Sequence, residues 1–468
     1  MLAAMPPAPH RTPKPGEPVI RDRGDACPGA LRLHTADDGR LARLRLPAGR
    51  LTSRQIGILA DAAETLGDGH LGITSRGNAE LRGLGDGCGT ELAGRLADAG
   101  LLPSPSHERV RNIVASPAAG LDGLGHGDVG SWARELDALL CAADWAAGLS
   151  GRFLFVLDDG RGDVAGLGGD VTLVAAPPES GAPGRPGAGD ALLHLAGRAV
   201  RVTAADAPRA ALAAARAFLA AARAAGTGAW RVGELPPGHA PDLAGHLAAA
   251  GIPAAPAGGA VLPAGPPPEP GLLGDTALYA LAPLGRLPAD RLRALLPAAE
   301  VRLTPWRGAV VTGLPGRSAA LARLRALAGA GLITEPASPW AGVGACTGRP
   351  GCGKALADVR ADATPGAAGP TGPGPLPGGA DPAEAGGTAA GSRLLPVHFS
   401  GCDRRCGHPH GAWVDVVATP DGHYEVDGAP TSRAELPGVV AAARRAGARP
   451  RVRTRGLPGR APSPRTTR

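Results

Sequence analysis

Apolar and polar positions follow the same order in two separate stretches of the chain. Residues 49–84 begin "GRLT", in which Thr52 is a helix start signal, continue with apolar positions at helical spacing, and end in a predicted strand that carries Arg76. Residues 285–314 begin "GRLP" and repeat the order of helix, strand, Arg307-Gly308 and strand. The pattern predicts two similar helix–strand units, one in each half of the chain.

The segments that follow the two units are also similar. A Gly-rich helical stretch comes next in each half, "GTELAGRLADAGLL" and then "SAALARLRALAGAGL", and each is followed by an Ala-Ser-Pro tripeptide, at 115–117 and 337–339. This order favours an internal duplication, and chance similarity of Ala/Arg/Leu-rich units is the alternative. Two similar halves are expected to pack about a pseudo-two-fold axis, with Arg76 and Arg307 converging in the cleft between them.

Charge and hydropathy exclude several classes of protein. The net charge is +7, but the arginines are scattered singly, and a dense basic run without aromatic residues is found only near the C-terminus. Nucleic acid is therefore not expected as a partner. We find no run of eighteen apolar residues and no signal-peptide core at the N-terminus, so we expect a cytoplasmic protein with no membrane partner.

Four of the seven cysteines form two close pairs. Cys346 and Cys352 have the spacing C-x5-C on a Gly-rich loop that leads into a predicted helix, and Cys402 and Cys406 have the spacing C-x3-C. Residues four apart in a helical turn face the same side, so the second pair can address one centre. Four thiolates are the ligand set of a [4Fe–4S] cluster or of a structural zinc ion. The C-x5-C spacing suits zinc poorly, although zinc and free thiols remain alternatives.

Several motifs resemble those of the nitrite/sulfite reductase superfamily. They are the two cysteine motifs, "ITSRGNAELRGL" (73–84), "RVRNIVASPAAGLDG" (109–123) and "SGRFLFVLDDG" (150–160). The resemblance covers about residues 26–440. It implies an α+β fold of two ferredoxin-like half-domains and two α/β domains with internal pseudo-two-fold symmetry. It also implies a [4Fe–4S] cluster held by Cys346, Cys352, Cys402 and Cys406.

Within that superfamily the chain is similar to the precorrin-3B synthase family. The similarity lies in residues 23–52, in "TPWRG" (304–308) and in "CGHPHG" (406–411). Sulfite reductases carry two lysines in the stretch that matches 151–154, whereas this chain has Arg152-Phe153-Leu154 and so loses one cation. A six-electron reduction of a small anion needs such cations, because they stabilise its charge.

The resemblance implies a function in aerobic cobalamin biosynthesis. The expected reaction is O2-dependent oxygen insertion into precorrin-3A with lactone formation. Beside the [4Fe–4S] cluster, the family uses a mononuclear non-haem iron and an electron donor, whose identity the sequence does not give. The alternative is a sirohaem-dependent sulfite or nitrite reductase. A cluster or zinc module without catalytic activity, binding nucleic acid through the basic tail, is a third hypothesis.

Site residues follow from the same resemblance. Precorrin-3A carries many carboxylates, which arginine binds bidentately. The candidates for substrate contact are Arg76, Arg111, Asn112, Arg152 and Arg307. Salt bridges between domains, or a turn cap in the case of Asn112, would be the structural alternative. His408 is the first histidine to test as an iron ligand, against the alternative of an ordinary exposed or packed imidazole, and no catalytic residue is assigned.

The predicted domain organisation uses Pro/Gly-rich stretches as boundaries. It comprises a disordered N-terminal tail (1–25), ferredoxin-like half-domain 1 (26–100), α/β domain 1 (101–261), a linker (262–275), ferredoxin-like half-domain 2 (276–336), an iron–sulfur α/β domain 2 (337–446) with a flexible insertion (362–392), and a basic C-terminal tail (447–468).

Overall fold

The computed structural model describes residues 25, 27–177, 189–368, 394–409 and 411–446. Almost all of the predicted N-terminal tail, the whole C-terminal tail and most of the predicted insertion lie outside these residues. Within them, none of the helices combines the length and the apolar character needed to cross a membrane.

Half-domain 1 is an antiparallel sheet with two helices on one face. Its elements are β1 (His34–Ala36), β2 (Gly39–Leu44), β3 (Arg50–Leu51), α1 (Ser53–Leu66), β4 (His70–Ile73), β5 (Ala79–Leu84) and α2 (Gly89–Asp98). The helix α1 begins at the predicted Thr52, whose hydroxyl accepts from the Gln55 amide at 3.2 Å while the Gln55 side chain accepts from the Thr52 amide. This capping box satisfies two donors at the helix start.

α/β domain 1 is a mixed six-stranded sheet. Its elements are β6 (Ile113–Ala115), α3 (Val129–Ala142), β7 (Phe155–Asp158), β8 (Val171–Ala176), β9 (Asp190–Leu195), β10 (Arg198–Thr203), α4 (Ala207–Ala225), α5 (Leu243–Ala249) and β11 (Ala255–Pro256). The strands β6, β7 and β8 are parallel, and β9 to β11 continue the sheet antiparallel. The helices α3 and α4 pack on one face and form the largest core of the molecule.

Half-domain 2 repeats the first half-domain and exchanges strands with it. Its elements are β12 (Gly271–Leu273), β13 (Ala277–Leu281), β14 (Arg286–Pro288), α6 (Ala289–Ala294), β15 (Glu300–Leu303), β16 (Gly308–Thr312) and α7 (Arg317–Gly329). The strand β14 pairs with β4 of the first sheet, and β3 pairs with β15 of the second. Both sheets share one hydrophobic core, so the two half-domains are a single folding unit.

α/β domain 2 repeats the strand order of α/β domain 1. Its elements are β17 (Val343–Ala345), α8 (Val359–Ala368), β18 (Val397–Ser400), β19 (Val414–Ala418), β20 (Tyr424–Val426), β21 (Ala429–Thr431) and α9 (Leu436–Arg445). The strands β17, β18 and β19 are parallel, and β20 and β21 are antiparallel. The predicted α+β architecture with an internal repeat is therefore confirmed.

The repeat extends to unusual backbone geometry. The turn before β3 holds Ala48 at φ 55°, and the turn before β14 holds Leu284 at φ 53°. Residues other than glycine rarely adopt this left-handed conformation. In the first turn, a Cβ on Gly49 would overlap the carbonyl oxygen of Leu303, so glycine is required where the second sheet approaches. Two such matching outliers support duplication over chance similarity.

The structure corrects several details of the predicted repeat. Arg76 lies in the turn between β4 and β5 and not in a strand. The Thr74 amide donates to the Asn78 carbonyl, and the Thr304 amide donates to the Gly308 carbonyl, so the two turns align residue by residue. Arg76 therefore corresponds to Trp306, and Arg307 corresponds to Gly77. The shared letters "RG" had suggested an alignment one residue out of step.

Two predicted boundaries and one further match also change. The strand β12 lies inside the predicted linker 262–275, and α8 continues seven residues into the predicted insertion 362–392. The first Ala-Ser-Pro tripeptide begins at the last residue of β6, whereas the second comes before β17. These tripeptides are therefore not equivalent, and the residue that matches Ser116 is Cys346.

Candidate functional site

Four cysteines meet at the carboxyl ends of β17 and β18. Cys346 directly follows β17, Cys352 lies in the loop before α8, and Cys402 and Cys406 lie in the turns after β18. Burial raises the pKa of the Cys406 thiol, and the other three thiols raise it further through their charge. The two predicted pairs are thus brought to one place, because adjacent parallel strands end at the same edge of the sheet.

The local structure around the cysteines differs from the helical turn expected. Residues 401–407 form successive turns, with Arg405 at φ 49°, and the helix α8 begins only at Val359. Cys402 and Cys406 therefore converge through a tight loop rather than through helical spacing. Such a loop leaves backbone N–H groups free to face a bound anion.

The spacing of the sulfurs argues against a single small ion. Four thiolates around zinc lie about 3.8 Å apart, as follows from a Zn–S distance near 2.3 Å. Among the described residues, the one group of three or more metal-ligating side chains within 4.8 Å of one another consists of three aspartates and no cysteine. No three of the four cysteine sulfurs therefore lie within 4.8 Å of one another, and a [4Fe–4S] cluster, in which each thiolate binds a different iron atom, does not require them to.

Orphaned polar atoms beside the cysteines also fit a cluster. The Gly401 amide donates to Sγ of Cys346 at 3.2 Å. Ser400 and His398 are fully buried, yet Oγ of Ser400 and Nδ1 of His398 have no hydrogen-bond partner among the described residues. Buried polar atoms of this kind are rare in folded proteins. A Cβ on Gly401 would lie 2.6 Å from Cβ of Ala355, so the backbone there has no room for a side chain.

Two arginines lie on either side of the cysteine loops. Arg360 of α8 donates from Nε to the carbonyl of Cys346 at 3.0 Å. Arg307 reaches across from half-domain 2 and donates to the carbonyl of Gly407, the residue after Cys406. A Cβ on Gly344 would lie 2.9 Å from Nη1 of Arg307, so this arginine passes close to the backbone. Arg307 therefore lies beside the cysteines and does not meet Arg76.

Half-domain 1 also contacts the cysteine loop. Arg82 donates from both Nε and Nη2 to Asp38 at 2.9 Å and from Nη2 to the carbonyl of Gly351 at 2.8 Å. The amide of Gly353 donates to Asp37. A Cβ on Gly351 would lie 2.6 Å from Oδ2 of Asp38. The β1–β2 turn thus fixes the loop between Cys346 and Cys352.

Cationic side chains form a second feature, the arginine group, which consists of Arg43, Arg45, Arg76 and Arg152. Burial lowers the pKa of Arg45 to about 10, and the charges of Arg43 and Arg76 add to this effect. Burial likewise lowers the pKa of Arg76 to about 10, with Arg231 and Arg152 contributing. Clustered arginines of depressed pKa attract anions, because an anion relieves their mutual repulsion.

Two members of the arginine group, Arg76 and Arg152, have free guanidinium groups. Among the described residues, the Arg76 guanidinium has no hydrogen-bond or ion-pair partner, although Asp170 lies near enough to oppose the fall in its pKa. Arg152 is exposed, with its guanidinium carbon 5.8 Å from the ring centre of Trp230. Both can therefore accept a carboxylate without breaking an existing bond.

Two of the predicted substrate contacts, Arg111 and Asn112, have internal partners instead. Arg111 is 5% exposed and forms a bidentate salt bridge to Asp137, with distances of 2.6 and 2.7 Å. Asn112 is fully buried, accepts from Asn78 at 3.0 Å and donates to the Phe153 carbonyl at 3.0 Å. The Arg111 guanidinium is thus held within α/β domain 1, and the Asn112 amide joins that domain to Asn78 of half-domain 1. Sequence motifs alone cannot separate such internal contacts from ligand contacts.

Leu154 is buried as expected for a residue without a charge. It is 2% exposed and packs in a small cluster with Val114, Val156 and Trp306. Trp306 comes from the turn of half-domain 2 that matches the Arg76 turn. An apolar contact therefore stands where the resemblance to sulfite reductases would have placed a second lysine.

His408 is exposed and stacks on Trp413, with ring centres 4.7 Å apart. Its Nδ1 lies 2.9 Å from the carbonyl oxygen of Pro409. Its neighbour His398 is the buried histidine with an unpartnered nitrogen, and its Nε2 contacts the carbonyl of Cys406 at 3.0 Å. Among the described residues, His408 belongs to no group of three or more metal-ligating side chains within 4.8 Å of one another.

Arg43 and Arg45 were missed from the sequence, although a signal for them exists. Arg43 lies near the end of β2 and Arg45 directly follows it, and the aligned positions before the matching turn of half-domain 2 are Tyr279 and Leu281. One copy thus has charged residues where the other has apolar residues. Such a difference indicates a surface with a role in one copy alone. Comparison of the two halves position by position would have found them.

Comparisons with known proteins agree with this geometry. Residues 34–97 match the nitrite/sulfite reductase ferredoxin-like half domain. The chain is 27% identical over 418 residues to a precorrin-3B synthase from Sinorhizobium sp, covering 86% of this chain and 83% of that protein. A ferredoxin–nitrite reductase from Leptolyngbya laminosa is 43% identical over 84 residues, which is 18% of this chain and 16% of that protein.

A similar fold is found in the structure of the Mycobacterium tuberculosis NirA protein. The TM-score is 0.57 at 16% identity, over 85% of this chain and 79% of that chain. The match to the half-domain model, the similarity over most of the chain and the shared fold agree with one another. Residues 34–97 are therefore similar to a nitrite/sulfite reductase half domain, and the chain is similar to precorrin-3B synthase over most of its length.

Proposed function

We propose that this protein inserts one oxygen atom from O2 into precorrin-3A and closes a lactone, as a precorrin-3B synthase. The observation that carries the proposal is the pairing of a four-cysteine site with a separate group of arginines, two of which have free guanidinium groups. Similarity to precorrin-3B synthase over 86% of the chain supports it.

The arginine group would bind a substrate with many carboxylates. Arg76 and Arg152 bind carboxylates directly, because their guanidinium groups are free, and Arg45 adds positive charge from beneath. Bidentate arginine–carboxylate contacts fix orientation as well as affinity. Arg111 and Asn112 are left out of this set, since their contacts are internal.

The cysteines hold a [4Fe–4S] cluster in this proposal. The cluster would transfer electrons singly from an external donor, and a mononuclear non-haem iron would supply O2 activation. One oxygen atom enters the macrocycle as a hydroxyl group, and the ring-A acetate closes the lactone. The second oxygen atom leaves as water, which takes up two protons and two electrons from the donor. Arg307 and Arg360 balance negative charge at the cysteine site.

The experiment is anaerobic purification followed by analysis of iron, sulfide and haem, and then incubation with precorrin-3A, a reductant and labelled O2. The proposal expects iron and sulfide without haem, and one labelled oxygen atom in the product. Unlabelled or absent product from protein with a full cluster would contradict it.

A second candidate is a sirohaem-dependent sulfite or nitrite reductase. It is favoured by the 43% identity of one segment to a ferredoxin–nitrite reductase. The optical spectrum distinguishes the two, because sirohaem has intense visible bands that a [4Fe–4S] cluster lacks.

A further inference from the structure

The two α/β domains place different residues at the same structural position. In register, Ile113 pairs with Phe155, and Val343 pairs with Val397. Counting from these pairs, Ser116 matches Cys346, and Asp158 at the end of β7 matches Ser400 at the end of β18. The cysteine site of α/β domain 2 thus has a counterpart in α/β domain 1 that holds no cysteine.

In α/β domain 1 the loop after β7 is filled by its own carboxylate. Asp158 is fully buried and accepts four backbone amides, those of Gly160 and Gly162 on Oδ1 and those of Val164 and Ala165 on Oδ2. The distances range from 2.8 to 3.1 Å. The residue at this position therefore points into the loop and meets its backbone donors.

In α/β domain 2 the equivalent Ser400 has no such partner. Phe399 before it faces the core of the domain, so Ser400 faces the opposite side, as His398 does. The amide of Cys346 donates to the carbonyl of Phe399 at 2.9 Å, which continues the parallel pairing and places Ser400 beside Cys346. Ser400 is fully buried and its Oγ is unpartnered.

We propose that the Ser400 hydroxyl donates a hydrogen bond to a sulfur atom of the [4Fe–4S] cluster and raises its reduction potential. The inference rests on the cluster of the proposed function. Reduction adds one electron to the cluster, and a donor to its sulfur stabilises the added negative charge. Ser400 is thus a positioning residue for electron entry and does not contact the substrate.

The test compares Ser400→Ala with Thr227→Val. Thr227 is a matched control, because it is 7% exposed, its Oγ1 is also unpartnered, and it lies in α/β domain 1. Both variants are purified anaerobically as full-length protein. Iron and sulfide are then quantified, and the reduction potential is determined by titration followed by electron paramagnetic resonance.

We expect Thr227→Val to keep the wild-type reduction potential. The reduction potential of Ser400→Ala should be more negative. The expected shift is about ten-fold in the one-electron equilibrium, which corresponds to about 59 mV. An unchanged potential in Ser400→Ala with full iron and sulfide overturns the inference and leaves the proposed function intact. Absence of iron and sulfide from the wild-type protein instead removes the cluster itself, and the inference with it.

A second variant, Ser400→Gly, is used if Ser400→Ala assembles no cluster. Ser400→Gly also removes the hydroxyl, and a more negative potential in this variant supports the inference. Loss of the cluster from both variants contradicts it, because a hydrogen bond that only tunes the potential is not required for assembly.

Discussion

Asp158 and Ser400 occupy equivalent positions in the two α/β domains, but within the part of the chain that the structure describes Asp158 accepts four hydrogen bonds and Oγ of Ser400 has no partner. The Asp158 carboxylate accepts hydrogen bonds from four backbone amides of its own loop, whereas Ser400 lies beside the four cysteines. One copy of the duplicated fold has thus closed this position with a carboxylate. In the other copy the hydroxyl of Ser400 has no partner among the described residues.

The cysteine assignment predicts a clear division among variants. Replacing Cys346, Cys352, Cys402 or Cys406 with serine should abolish the broad visible absorbance and most of the iron. Cys88→Ser and Cys141→Ser should retain both, since these residues lie away from the site. Iron analysis and the visible spectrum of each purified protein check this. Full iron content in Cys402→Ser would count against the assignment.

Asp158→Ala should destabilise α/β domain 1. It removes the acceptor of four buried amides, and an unsatisfied buried donor costs about 1–3 kcal/mol, so a loss of at least about 3 kcal/mol is expected. Asp275→Ala is the control, because Asp275 is exposed and pairs with Arg317 at 3.4 Å, a contact worth at most about 1 kcal/mol. Denaturant unfolding of the two variants measures the difference, and equal stability would show that the four amides find other partners.

Asp163 predicts a dependence of stability on pH. Burial raises its pKa to about 7, with Asp158 and Asp159 adding to the effect and the hydrogen bond from Ser116 opposing it. The folded protein keeps this proton up to about pH 7, whereas the unfolded chain loses it near pH 3.8. Stability therefore falls as the pH rises from about 4 to about 7 and stays low above that.

Asp163→Asn removes this titration and keeps an acceptor for Ser116. We compare the free energy of unfolding of the variant with that of the wild type at two pH values. The difference, variant minus wild type, should be about 2 kcal/mol larger at pH 8 than at pH 5. Denaturant melts at the two pH values measure it. A difference that is independent of pH would mean that the carboxyl group is already ionised in the folded protein at pH 5.

Arg76 and Arg111 should separate binding from stability. Arg76→Gln should weaken precorrin-3A binding about ten-fold or more, because a charge-assisted hydrogen bond is lost, with little change in melting temperature. Arg111→Gln should lower the melting temperature, since it leaves Asp137 without its bidentate partner. The exposed Arg317→Gln should change neither. Substrate titration and thermal unfolding of the three variants test this, and weaker binding by Arg111→Gln at unchanged stability would reverse the assignment.

The duplicated architecture and the cysteine pairs were accessible from the sequence, because both depend on local spacing. Helix α1 begins at the predicted Thr52, and the cysteines follow two parallel strands. The pairing of Arg76 with Arg307 was wrong, because the turn register depends on backbone hydrogen bonds that the letters do not reveal.

The role of Arg111 could not be read from its motif either. A buried ion pair to Asp137 and a free cation that awaits a ligand have the same local sequence. Only the packing of α3 against the strand that follows Arg111 distinguishes them. The burial of the Ser400 hydroxyl without a partner among the described residues likewise depends on tertiary packing that the local sequence does not reveal.

The central claim is oxygen insertion into a tetrapyrrole by a protein with a [4Fe–4S] cluster and no sirohaem. The most direct measurement is the mass of the product after the anaerobically purified, cluster-loaded protein has been incubated with precorrin-3A, a reductant and labelled O2. We expect a lactone product that carries one labelled oxygen atom, from protein without sirohaem bands. Intense sirohaem bands together with reduction of sulfite or nitrite, and no labelled product, would contradict it.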